Sequence, residues 1–215
     1  MAEADAQQEE LDTAQADTTA RDDDEGRPSL GFTVLRDLAL FFILLTLWGA
    51  GDAWAQTSGL VVAKFVALGN AAFIGLILAA LWHEWGHYLG CFFAGGKTRL
   101  AKVRGLSLLR LDFDYEENDR RQFHWMTYGG WIGQWLIVIL ALLFIPMDTS
   151  NRVALVAAGV AFSVFAHAVE IPVIMESKRG TDPQEALSKL VDRQAFVRSG
   201  VIGGVTGLFV YALIT

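Results

Sequence analysis

Leu81-Trp82-His83-Glu84-Trp85-Gly86-His87-Tyr88 reads LWHEWGHY and lies inside the longest apolar run of the chain. Two imidazoles and a carboxylate cost free energy in such a place unless something compensates them. On a helix, residues four apart stack on one face, about 40° apart around the axis. His83 and His87 therefore address one point, and Glu84 borders the same face. This is the H-E-x-x-H arrangement, in which two histidines bind an ion and the glutamate acts as a base. A third protein ligand and a water complete a catalytic zinc site. The bland alternative is a polar network satisfied inside the bundle. Polar groups at membrane depth are rare and functional by default, and three at ligand spacing favour a metal site.

The surroundings make this a membrane question. Of 215 residues, 53% are hydrophobic and 19% are charged, which is too apolar for an ordinary soluble domain. The formal charge of −7 is concentrated at the N-terminus. Residues 1–30 hold ten acids and two bases, so the tail carries −8 and the rest of the chain +1. The tail has few large apolar residues and is expected to be disordered, ahead of a membrane domain over 31–215. It lacks the basic start and apolar core of a secretory signal. A lone cysteine, Cys91, excludes an intrachain disulfide framework and a cysteine-only zinc site. It continues the 83–87–91 row but is expected to be a small core residue. There is no basic excess and no reader motif, so nucleic acid is not an expected partner.

Five apolar segments follow the tail, over about 38–54, 68–94, 123–147, 153–175 and 200–214. A spanning helix needs about 20 residues, so the middle three qualify most easily. The predicted fold class is an all-α polytopic bundle of about five spans, with a short β element in one loop. The basic residues orient it. Fifteen of the 17 Lys and Arg fall on one side of a strictly alternating five-span topology, leaving only Lys64 and Arg152 on the other. The positive-inside rule then puts the N-terminus in the cytoplasm, the C-terminus outside, and the histidines in the cytoplasmic half of a plasma or inner membrane. In the loop after that helix, Leu109-Arg110-Leu111-Asp112-Phe113-Asp114-Tyr115 alternates like a strand. Thr181-Asp182-Pro183 reads as the start of a short helix on the cytoplasmic surface. His124 is expected to be interfacial.

The stretch His83-Glu84-Trp85-Gly86-His87-Tyr88-Leu89-Gly90 and its continuation to Thr98 resemble the HExGH helix of the site-2 proteases, the intramembrane zinc metalloproteases. Tyr128-Gly129-Gly130-Trp131-Ile132-Gly133-Gln134-Trp135-Leu136 is similar, more weakly, to the glycine-rich start of that family's next core helix. The resemblance covers about residues 65–177, three spans of the five. It implies hydrolysis of a membrane-anchored protein substrate near the cytoplasmic face, with one zinc ion, His83 and His87 as ligands and Glu84 as the catalytic base. It also implies that the alternating strand pairs with an unwound substrate, which makes Leu109, Leu111 and Phe113 candidate substrate contacts. Gln134 is a further candidate, for a substrate backbone or for an inter-helix hydrogen bond.

The family's third core helix carries an Asp-Gly whose aspartate is the third ligand. Here Phe165-Ala166-His167-Ala168-Val169-Glu170-Ile171-Pro172-Val173-Ile174-Met175-Glu176 has no Asp-Gly. His87 lies about 10 Å from the cytoplasmic end of its helix at 1.5 Å per residue. The matching depth on the 153–175 segment is that of His167 and Glu170. Depth favours Glu170 as the third ligand, with His167 as an alternative ligand or a donor beside it. Glu176 is too shallow unless the helix unwinds after Pro172. Two other readings stand beside the protease. One is a catalytically silent membrane scaffold or complex subunit. The other is a di-iron oxidoreductase built on Glu84-x-x-His87 and His167-x-x-Glu170, which needs two further carboxylates.

Overall fold

The computed structural model describes residues 26–102 and 111–215. Leu109 and residues 1–25 of the acidic tail lie outside that range. The described elements are α1 (Leu30–Ser58), α2 (Val61–Phe93), β1 (Thr98–Leu100), β2 (Leu111–Phe113), α3 (Arg120–Phe144), α4 (Ser150–Lys178), α5 (Pro183–Leu190) and α6 (Arg193–Ile214). All of these helices but α5 are long and apolar enough to cross a membrane. The chain is a helical integral membrane protein.

Each span starts earlier than its apolar segment. Side-chain caps explain the starts of all the helices but α2, whose N-cap Leu60 makes no such bond. Ser29, Asp119, Thr149, Asp182 and Asp192 each accept a backbone N–H in the first turn of the helix that follows. Asp119 and Gln122 form a reciprocal capping box. The last span begins at Arg193 rather than near 200, because Asp192 caps it directly after α5 ends at Leu190. The first span runs through Asp52, whose carboxylate is buried but compensated. It accepts from Gln56 one turn on, at 2.7 Å, and from Arg152 at 3.0 Å. Pro172 does not end α4, which continues to Lys178.

Neighbouring helices alternate in direction. Asn70 of α2 donates to Leu47 O of α1, while Trp85 further down α2 donates to Asp37 near the start of α1. Gly75 of α2 packs on Leu155 of α4, and Gly203 of α6 on Ala161 of α4. The closest crossing is between α2 and α3. A Cβ on Gly86 would collide with Gly129 O, and one on Gly90 with Trp125 O. One on Gly133 would collide with Trp82 O. Only glycine permits the two backbones to meet there.

At one end of the bundle, β1 and β2 pair antiparallel, with Arg99 opposite Asp112. Asn118 ties the base of this hairpin, accepting from Lys97 N at 2.7 Å and donating to Lys97 O at 3.0 Å. Arg27 donates to Leu100 O and to Asp112, tying the start of the described chain to the hairpin. Phe113 stacks edge-on against Phe123 and Tyr115, in a cluster that includes Val173, Ile174 and Ala186. The hairpin therefore sits over the ends of α3 and α4.

Candidate metal centre

Three of the candidate residues converge. The Nε2 atoms of His83 and His87 lie 2.9 Å apart. Oε1 of Glu170 is 3.2 Å from each of them. Among the described residues these three form the group of His, Cys, Asp and Glu side chains able to hold a metal ion. The parallel course of α2 and α4 produces this match. Gly75 meets Leu155 where the two helices touch, and both descend from there, α2 to His83 and His87 and α4 to Glu170.

The donor set fits a cation. Nδ1 of His87 lies 2.9 Å from Met126 O and donates to it, which assigns the lone pair of the neutral ring to Nε2. A ligating histidine characteristically gives its other N–H to such a carbonyl. Three acceptor-rich atoms some 3 Å apart repel one another unless a positive charge sits among them. Tetrahedral coordination with bonds of about 2.0–2.1 Å places ligand atoms about 3.3 Å from each other. The observed edges are close to that spacing.

Packing holds the rings. The His83 and His87 ring centroids are 4.2 Å apart, and His83 meets Phe162 edge-on at 5.6 Å. Nδ1 of His83 is buried with no hydrogen-bond partner among the described residues, so the ring's polar contacts run through Nε2 alone. Gly130 lies directly against both imidazoles. A Cβ there would stand 2.5 Å from His87 Cε1 and 3.0 Å from His83 Cε1. Glu84 is buried one residue from His83, with 8% of its surface exposed.

The remaining candidates lie elsewhere. Nδ1 of His167 is 2.8 Å from both Ser163 O and Gln134 Nε2. His167 is therefore outside the metal group and serves as a neighbour of it. Gln134 is fully buried between α3 and α4, where it also donates to Ser163 O at 3.2 Å. It makes an inter-helix bond, one of the two roles expected of it. Glu176 accepts from Thr181 and Arg179 at the end of α4, away from the ligands. Phe113 packs into the cluster beneath the hairpin, and Leu111 is paired with Leu100, so one edge of the expected substrate strand is already occupied. Cys91 is buried with its sulfur towards Lys97 O, and His124 bonds Ser177 at 3.0 Å.

The sequence reading missed Trp131, whose indole Nε1 donates to Glu170 Oε2 at 2.5 Å. An apolar groove of about 740 Å³ lies between α1, α2 and α3, and none of the three ligands lines it. No protein-family model matches the chain, and no curated protein or solved structure matches it either.

Proposed function

We propose that the chain is an intramembrane zinc endopeptidase similar to the site-2 proteases, cutting a membrane-anchored protein near the cytoplasmic face of a plasma or inner membrane. The observation that carries this reading is the convergence of His83, His87 and Glu170 on one point, with Glu84 buried beside them. His83, His87 and Glu170 would hold the ion. A zinc ion held there would supply Lewis acidity and would lower the pKa of a bound water to about 7. Glu84 takes the proton of the attacking water on its carboxylate and returns it to the leaving amine. The Met126 carbonyl keeps the proton of His87 on Nδ1, so Nε2 stays a ligand. Apolar neighbours such as Phe162 keep bulk water from the ligands. A di-iron reading asks for carboxylates that the described residues do not bring to the site.

The test is metal content and cleavage in wild type and Glu84→Gln. The protease reading expects about one zinc per chain in both proteins. It also expects the variant to lose cleavage of a membrane-anchored reporter by a factor of about 10²–10⁴, the usual worth of a general base. Full activity in the variant, two irons per chain, or no bound metal would each overturn it, the last in favour of a silent scaffold.

A further inference from the structure

We propose that Trp131 is a positioning residue for the metal centre, its indole N–H holding the Glu170 carboxylate so that a single oxygen faces the ion. This rests on the metal reading above. Glu170 has two oxygens with different surroundings. Oε1 faces both histidine Nε2 atoms at 3.2 Å. Oε2 accepts the indole N–H of Trp131 at 2.5 Å. That is the one hydrogen bond made to Oε2 among the described residues. A carboxylate can ligate through one oxygen or both. Chelation through both would occupy the open position that a catalytic site keeps for water or substrate. Indole is a donor with no acceptor, so it ties down an oxygen without competing for the ion.

The indole is itself held in place. It stacks on His167, with centroids 4.8 Å apart and planes 25° from parallel, and it meets Tyr128 at 5.3 Å. Nδ1 of the His167 ring donates to Ser163 O at 2.8 Å, with the buried Gln134 side chain packed beside it. A continuous set of contacts thus runs from Gln134 through His167 and Trp131 to the ligand. It joins α3 to α4 at the level of the site, and gives Gln134 and His167 a role that neither ligation nor substrate binding supplies.

The experiment uses the full chain in detergent, with Co²⁺ as a visible probe. One variant carries 3-benzothienylalanine at position 131, an isostere of tryptophan with sulfur in place of the N–H. Trp131→Phe is the encoded counterpart. Trp135→Phe is the packing control, since Trp135 also touches the His167 ring, at 6.2 Å. Wild type is expected to give the intense bands of four-coordinate Co²⁺. Losing the N–H is expected to weaken Co²⁺ affinity about 10–100-fold, as for other groups that orient a ligand. It is also expected to convert the spectrum to the weaker bands of a higher coordination number, as Oε2 turns to the ion. Trp135→Phe should match wild type. An isosteric variant with wild-type affinity and spectrum overturns the positioning role and leaves the metal reading intact. Wild type that binds no Co²⁺ overturns the metal reading, and this inference with it.

Discussion

At the scale of single residues, the site depends on a missing side chain as much as on those present. Gly130 lies where any Cβ would press on both imidazoles. Alanine is a better helix former than glycine by about 1 kcal/mol, so Gly130→Ala should stabilise the α3 helix taken alone. It should nonetheless weaken metal binding about 10–100-fold by turning His87 off the common point. Chelator competition measures this, and Gly204→Ala is the control, because nothing lies within 4 Å of a Cβ there. Equal affinity in Gly130→Ala and wild type would show that the rings have room to move. The residues that converge were legible in the sequence. Spacing gives His83 and His87, and matching depth points to Glu170. Trp131 was not legible, because its partner is fixed by the angle at which α3 passes α4. Gln134 stood open between two roles for the same reason. Gly130 could be read as a packing glycine, but not as one that faces histidines.

At the scale of elements, the hairpin shows how short polar pieces are held against a membrane bundle. Asp114 Oδ1 accepts the backbone N–H of Glu117 at 3.0 Å and that of Glu116 at 2.9 Å. These donors, led by Glu117, hold the Asp114 carboxyl below its usual range, with Arg99 and Lys97 adding to the effect. A carboxyl whose folded pKa is depressed contributes its stabilisation above the unfolded value, about 3.9, and loses it as pH falls through the folded value. Hydrogen exchange at the Glu116 and Glu117 amides should therefore stay slow from neutral pH down to about 4, after allowing for the intrinsic pH dependence of exchange. Protection should be lost below that. Asp114→Asn should abolish this acid step; an unchanged step would assign it to another group. The alternation of Leu109–Tyr115 did announce a strand, described here over Leu111–Phe113. Its partner, Thr98–Leu100, is three residues with no pattern to read, so the pairing that occupies one edge was hidden. The last span was placed too late for a related reason. Arg193 and Arg198 look like surface residues in an apolar count, yet they lie in the first turns of a helix capped by Asp192.

At the scale of the whole molecule, the five spans were legible because membrane burial demands long apolar runs, and the loops sort by charge. Which helices touch was not legible, since glycine contacts such as Gly86 on Gly129 or Gly75 on Leu155 depend on pairs of positions far apart in sequence. The alternating directions place the hairpin, α5 and the start of α1 at one end of the bundle, and Asp52, Thr149 and Arg152 at the other. The first end carries nearly all the basic residues, so it should face the cytoplasm. Two substitutions test this with little disturbance, because Ser150 and Ser188 are both exposed and lie at opposite ends. Cys91 is fully buried and gives no background. In intact cells, a membrane-impermeant maleimide should label Ser150→Cys and leave Ser188→Cys unlabelled until the membrane is opened. The reverse pattern would put His83, His87 and Glu170 in the outer half of the bilayer and overturn the orientation read from charge.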